Sequence, residues 1–142
     1  MQRLISLAAS IMFWSMVGTS PLQSAQTTTF FDVRRPVVVA FFPPVTEAEF
    51  NDSGTNDALD DFQYYARRVW QPLRKAGVDF HEVYAHSFRI RLGTRTTTFR
   101  PVKVDVGYYF VAPGKKPRVE YGVMTDADLL QVANEYFGLA PK

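Results

Sequence analysis

The chain of 142 residues contains no cysteine. Disulfide bonds, a thiolate nucleophile, a redox-active thiol pair and a cysteine-ligated zinc site are therefore excluded. Small exported domains often depend on disulfides for stability, so here a hydrophobic core has to stabilise the fold alone. With 46% hydrophobic residues, the sequence is rich enough in apolar side chains to form such a core.

Net charge and histidine are also scarce. The 16 lysines and arginines and 14 acidic residues give a formal net charge of +2, so overall charge does not require a nucleic-acid or anionic-membrane partner. There are 2 histidines, and no Ser–His–Asp order, phosphate-binding loop or His-Glu-x-x-His motif occurs in the sequence. We therefore predict no cofactor.

The first 25 residues differ from the rest of the chain. Arg3 precedes an apolar or small run from residue 4 to residue 17, and small residues lead up to Ala25. This layout is typical of a secretory signal peptide, residues 1–25, cleaved after Ala25. The apolar run, about 14 residues, is short for a membrane span, which needs roughly 20. We predict an exported protein, periplasmic or extracellular; an uncleaved anchor is the alternative, and only then does the chain contact a membrane.

The mature chain is predicted to consist of a loose lead-in, residues 26–36, and a single domain, residues 37–140. The first element of the domain, Val37–Phe42, is a continuous apolar run closed by two prolines. Such a run is typical of an inner strand that is buried on both faces, and helices are the expected cover. An acidic loop, residues 45–57, is expected to follow.

Helical and strand patterns alternate through the rest of the domain. Apolar residues keep helical spacing up to Gly77, and we expect this helix to kink at Pro72 rather than to end there. Near the C-terminus, Thr125 is the predicted cap of a last helix that Gly138 stops. Between the two helices, strands are predicted at Val78–Ala85, 88–92 and 96–99, followed by a hairpin of Val102–Ala112 and Arg118–Val123.

This order of elements resembles the thioredoxin-like fold. Val37–Phe42 looks like the central strand of that family, and the helix with Pro72 is similar to its second helix. The closing stretch from Gly107 to Phe137 looks like its last hairpin and helix. The resemblance implies an α/β fold, with a central mixed sheet flanked by helices and a C-terminal β-hairpin plus helix.

The departures from that family concern its chemistry. Its Cys-x-x-Cys positions correspond to Tyr64 and Arg67, and its cis-proline falls at about Val106. Residues 87–99 look like strand where the family has helix. The resemblance therefore implies a redox-inactive member, and a fold shared by many functions does not assign one.

Two acid–histidine pairs offer the chemistry of an enzyme. Alternation along a strand places Asp79 with His81 on one face and Glu82 with His86 on the other. Such a pair can act as a general base or ligate a metal. We expect ordinary polar strand ends, and predict neither a catalytic residue nor a metal site. A hydrolase or metal-dependent enzyme is one alternative function, and a small-ligand carrier is another.

The acidic stretch 47–61 contains carboxylates and no basic residue. Clustered oxygen ligands in a glycine-containing loop suit calcium, although the spacing does not match the EF-hand pattern. We expect a solvated loop that leads into a helix N-terminus, where carboxylates are favourable. The carboxylates are Glu47, Glu49, Asp52, Asp57, Asp60 and Asp61.

Tyrosines and arginines supply the predicted binding surface. Tyr108 and Tyr109 are consecutive on a strand, so at least one of them is expected to line a surface or groove. Arg89 and Arg91 alternate with apolar residues and should face solvent. We predict an exported, non-catalytic module that works in protein binding or assembly. Export argues against nucleic acid, which leaves an anionic lipid, a polysaccharide or an acidic protein as the partner of the basic residues, and we predict an unidentified protein.

The signal-peptide prediction can be tested on the exported protein itself. We expect the extracytoplasmic form to begin at Gln26, because cleavage after a small residue removes the apolar segment. Intact-mass measurement and N-terminal sequencing of protein from that fraction check this. Recovery of the chain with residues 1–25 attached, in the membrane fraction, would instead favour the uncleaved anchor.

Overall fold

The computed structural model describes residues 29–101 and 106–139. The predicted signal peptide, residues 1–25, lies outside these ranges. Within them the fold is mixed α/β, with two mixed sheets and three helices. In chain order, the elements are β1 (Phe30–Val33), β2 (Val37–Phe42), α1 (Glu47–Phe50), α2 (Ser53–Lys75), β3 (Asp79–Tyr84), β4 (Phe88–Leu92), β5 (Arg95–Phe99), β6 (Gly107–Val111), β7 (Arg118–Tyr121) and α3 (Asp126–Phe137).

The main sheet has four strands in the order β3-β2-β6-β7. Strand β2 pairs parallel with β3 and antiparallel with β6, and β6 pairs antiparallel with β7. All six residues of β2 are buried, which confirms the predicted inner strand. Helix α2 is the crossover between the two parallel strands, and its apolar side, with that of α3, packs on one face of the sheet.

A second sheet, and not a helix, covers the other face of β2. Its order is β1-β4-β5, with β1 parallel to β4 and β4 antiparallel to β5. Val39 and Phe41 of β2 share a buried cluster with Phe88 and Ile90 of this small sheet. The expectation of helices on both faces is therefore wrong. A continuous apolar run shows that both faces are buried, but not which element buries them.

The loose lead-in predicted for residues 26–36 is also wrong in part, because β1 lies within it. Val33 is buried, and Phe31 packs against the same cluster as Phe88. The strand is short and carries Asp32, which lies between Phe31 and Val33 in sequence and faces away from the buried cluster. Four residues with a single alternation give too weak a pattern to distinguish from irregular chain. Residues 26–28 lie outside the described ranges.

The acidic loop predicted for residues 45–57 is replaced by helix. Thr46 and Glu49 form a capping box at α1, and Asp52 caps α2 by accepting a hydrogen bond from the Thr55 amide at 3.1 Å. The turn-forming residues Asn56 and Gly54 concealed this early start. At the other end, α2 continues through Pro72 to Lys75, so the helix does not end at the proline.

The hairpin predicted over Val102–Ala112 and Arg118–Val123 is present as β6 and β7, and residues 102–105 of that prediction lie outside the described ranges. The predicted ends of the last helix are confirmed. Thr125 caps α3 by accepting a hydrogen bond from the Asp128 amide at 3.2 Å. Gly138 ends the helix with φ 68°, a left-handed conformation that glycine adopts without steric cost. No helix in the described part of the chain combines the length and apolar character that a membrane span requires.

Gly107 of β6 lies in tight contact with Phe41 of β2 and with Glu120 of the edge strand β7. A Cβ at this position would collide with the carbonyl oxygen of Glu120 and lie 2.6 Å from Cζ of Phe41. We therefore expect Gly107→Ala to lower the free energy of unfolding by about 1–3 kcal/mol, the usual cost of overpacking a core. Denaturant unfolding of the purified chain measures this.

Gly54→Ala is the matched control for this prediction. Its Cβ would lie no closer than 3.4 Å to a neighbouring atom, Oδ2 of Asp52, in ordinary contact. Alanine has the higher helix propensity, so the control should be as stable as the parent chain or more stable. Equal stability of the two variants would contradict the tight packing at Gly107.

Candidate functional site

The predicted pair of Asp79 and His81 does not form. Oδ2 of Asp79 lies 2.6 Å from Nε of Arg35, in an ion pair that links the start of β3 to the segment before β2. The His81 ring packs against Phe31, with 5.0 Å between ring centroids. Each side chain therefore has a structural contact of its own.

Glu82 pairs with a tyrosine and not with His86. The hydroxyl of Tyr84 donates a hydrogen bond to Oε2 of Glu82 at 2.8 Å and accepts one from Nε2 of Gln63 at 3.1 Å. Burial, and then the hydrogen bond to Glu82, raises the pKa of Tyr84 to about 12. His86 is exposed beyond the end of β3. The pKa of Glu49 is lowered chiefly by hydrogen bonds from Thr46, with a smaller electrostatic contribution from His86.

The described residues offer no ready metal site. Among them, no three or more His, Asp or Glu side chains are grouped so that they could hold a metal ion. Two carboxylates of the acidic stretch cap helices: Glu49 bonds to Thr46 at 2.9 Å, and Asp52 bonds to Thr55. These two carboxylates are bound to the N-termini of two different helices and are not arranged to ligate one ion.

Tyr108 and Tyr109 are both buried, at 0% and 8% exposure, so the prediction that one of them lines a surface is wrong. Tyr108 faces the helices, and its hydroxyl accepts a hydrogen bond from the Met124 amide at 3.4 Å. Tyr109 faces the small sheet, with its ring centroid 4.5 Å from that of Phe99. Alternation still holds along β6, but both faces of the main sheet are covered. Burial raises the pKa of both phenols.

The predicted surface residues Arg89 and Arg91 do lie on an open face. The register of the small sheet places Arg89 between Phe30 and Thr98, and Arg91 between Asp32 and Thr96. Because side chains alternate, these six residues share the side of the sheet that points away from the main sheet. We call this surface the arginine face: Phe30, Asp32, Arg89, Arg91, Thr96 and Thr98.

An exposed aromatic ring stands at the β1 edge of the arginine face. Phe30 is 45% exposed, and the guanidinium carbons of Arg89 and Arg91 lie 5.9 and 5.2 Å from its ring centroid. Both distances are within the range of a cation–π interaction. The ring and the two cations therefore hold one another in place in solvent.

Asp32 orients the arginines at one end of the face. Its Oδ2 lies 2.8 Å from Nη2 of Arg91 and 3.1 Å from Nη2 of Arg34. The hydrogen bond from Arg91 is the largest cause that lowers the pKa of Asp32, and the same bond raises the pKa of Arg91. A cleft of about 430 Å³ opens beside this cluster, where Gly93 and Pro113 complete the lining.

The arginine face has the chemistry of a carboxylate-recognition surface. Guanidinium groups bind carboxylates through paired hydrogen bonds, and an adjacent ring supplies apolar contact area. The alternation in β4 predicted the two arginines, whereas Phe30 and Asp32 were missed. The signal that could have revealed them is the alternation Phe30-Phe31-Asp32-Val33, which places one aromatic residue on each side of a short strand.

The contact of Tyr84 with Glu82 can be tested by titration. The folded protein keeps the Tyr84 phenol protonated up to a pKa of about 12, above the ordinary value of about 10. Between these values the folded state binds more protons than the unfolded state, so this contribution to stability is complete below pH ~10 and is lost as pH rises toward ~12. Tyr84→Phe should therefore show a shallower loss of unfolding free energy across that window.

The carboxylate provides an independent check on the same contact. Glu82→Gln removes the negative charge beside the phenol, so we expect the tyrosinate absorbance assigned to Tyr84 to appear at lower pH than in the parent chain. The absorbance difference between the parent and Tyr84→Phe isolates this residue. An unchanged midpoint in Glu82→Gln would contradict the hydrogen bond.

Comparison with known proteins supplies no relative for this chain. No protein-family model matches it, and searches of curated proteins and of solved structures found no significant match.

Proposed function

We propose that the chain is an exported, non-catalytic binding module whose arginine face contacts an acidic partner protein. The observation that carries this proposal is Phe30, a large aromatic side chain that is 45% exposed and lies within cation–π distance of two arginines. Aromatic and arginine side chains at a surface are the types that most often dominate the binding energy of protein interfaces.

The distribution of charge supports an acidic partner. The three strands of the small sheet carry Arg89, Arg91 and Arg95, and Asp32 is their single carboxylate. Carboxylates concentrate instead in residues 47–61, which contain no lysine or arginine. A surface with one dominant sign of charge attracts partners of the opposite sign and accelerates their encounter.

The order already present in the arginine face also favours binding. Asp32 fixes Arg91, and Phe30 contacts both Arg89 and Arg91, so these long side chains lose less conformational freedom when a partner binds. Preorganisation of this kind increases affinity without adding a contact. By contrast, the acid–histidine candidates are engaged in separate contacts, which supports a role without catalysis.

The connectivity of the main sheet supports a thioredoxin-like arrangement. A parallel β2-α2-β3 unit is followed by the antiparallel pair β6-β7 and the helix α3, in the sheet order β3-β2-β6-β7. This is the order of elements that the sequence resemblance implies. The hairpin β4-β5 stands where that family has a helix, and together with β1 it builds the arginine face. The proposed function therefore belongs to the small sheet and not to the main sheet with its helices.

Neutralising the arginine face tests the proposal. We expect Arg89→Gln/Arg91→Gln to weaken binding to a fluorescent polyglutamate probe by about tenfold, because two exposed charge contacts are each worth up to about 1 kcal/mol. Fluorescence anisotropy at low and high salt measures the change, and screening by salt should weaken the parent more than the variant.

Arg67→Gln/Arg74→Gln is the matched control. It removes the same charge from α2, on the opposite side of the main sheet, and should leave binding to polyglutamate nearly unchanged. The same two variants can be compared as bait for affinity capture from the extracytoplasmic fraction. Equal loss of binding in both double variants, or no binding by the parent chain, would refute the proposal.

A further inference from the structure

The four sheet edges differ in how they are protected against pairing with another chain. Natural edge strands are blunted by charged side chains, proline or short length. Strand β5 has three consecutive uncharged, β-branched residues at its centre, and all three are exposed. The other edges carry charges at or near their centres: Asp32 in β1, Glu82 in β3 and Glu120 in β7.

The hydrogen-bonding direction along β5 follows from that of β4. The Arg89 amide donates to the carbonyl oxygen of Thr29 at 2.8 Å, so the backbone groups of Arg89 point toward β1. Because these directions alternate along a strand, those of Ile90 point toward β5, where its partner is Thr97. It follows that the N–H and C=O groups of Thr96 and Thr98 point away from β4. Within the described residues, no strand pairs with that side of β5.

We propose that an extended, acidic segment of the partner protein adds to β5 as a further strand of the small sheet. The backbone groups of Thr96 and Thr98 supply the ladder, as in other cases of strand addition to an open edge. Thr98 lies beside Arg89 and Thr96 beside Arg91. Carboxylates on the outer side of the added strand would stand two strand spacings from β4, about 10 Å, within reach of long arginine and glutamate side chains. This inference rests on the proposed function and names the mode of binding.

Charge distinguishes this occupant from a second copy of the chain. An antiparallel pair of β5 strands centred on Thr97 would satisfy the same backbone groups, with threonine opposite threonine. However, each small sheet carries Arg89, Arg91 and Arg95 against Asp32. Joining two such sheets edge to edge brings like charges together, whereas an acidic strand neutralises them.

Thr98→Pro tests the edge directly. Proline removes the outward-pointing N–H of residue 98 and places its ring on the open side of β5. The hydrogen bonds between β4 and β5 are all kept, so the fold should tolerate the substitution. We expect it to weaken binding of a short peptide of alternating glutamate and threonine by about tenfold. Thr98→Val is the matched comparison, because it removes the hydroxyl but keeps the N–H and the β-branched shape, and it should lose less affinity than Thr98→Pro.

Modified peptides test the same point on the unaltered protein. A peptide in which single glutamates alternate with pairs of prolines, and the glutamate–threonine peptide methylated at every backbone nitrogen, keep acidic side chains but cannot form a continuous ladder on either edge. We expect both to bind about tenfold more weakly than the unmodified peptide. With the unmodified peptide bound, amide hydrogen exchange should slow at Thr96 and Thr98, while Thr97, already paired with Ile90, should change little.

The outcomes separate this inference from the proposed function. If the modified peptides bind as tightly as the unmodified one, and still lose affinity in Arg89→Gln/Arg91→Gln, strand addition is refuted and acidic recognition stands. If no acidic peptide binds, the proposed function itself is refuted. Dimerisation of the parent chain that Thr98→Pro abolishes would show that β5 pairs with a second copy, which also overturns the inference.

Discussion

Burial of β2 on both faces is the constraint on which the rest of the structure depends. Its six residues are all buried, and successive side chains enter two separate cores. Val38 and Ala40 contribute to the core beneath the helices, whereas Val39 and Phe41 contribute to the core beneath the small sheet. Without cysteine, no disulfide bond can hold these layers together. The small sheet is therefore part of the hydrophobic stabilisation of the domain, and its outer face is available for contacts because its inner face is committed to the core.

The same alternation explains both the successes and the errors of sequence-based prediction. Strand β2, the β4 alternation and the caps of α3 follow from local patterns, since each depends on residues that are close in the chain. The burial of both Tyr108 and Tyr109 does not follow from local patterns, because it depends on whether a segment distant in sequence covers the second face of the main sheet. The strand that completes this cover, β1, is only four residues long. Its pairing with β4 joins residues far apart in sequence, and no local periodicity reports such a contact.

The candidate site was predictable to the extent that it lies on β4. Alternation placed Arg89 and Arg91 on a solvent face, whereas Phe30 and Asp32 depended on recognising β1. The acid–histidine pairs show the opposite limit. Their spacing along β3 suggested partners, but Asp79 is bound by Arg35, and Glu82 is bound by Tyr84. Sequence spacing identifies which side chains share a strand face; it does not identify which neighbour, on the same strand or on another segment, binds each of them.

The arginine face is assembled from two stretches that are far apart in the chain, as the 59-residue separation between Asp32 and Arg91 shows. Neither stretch alone displays the ring, both cations and the carboxylate in register. The proposed recognition would thus be conditional on completed folding, because a nascent or partly unfolded chain presents no such surface. By mass action, a partner that binds only the finished arrangement must also shift the folding equilibrium toward it. Occupancy of the arginine face by such a partner and the conformational stability of the fold are consequently linked.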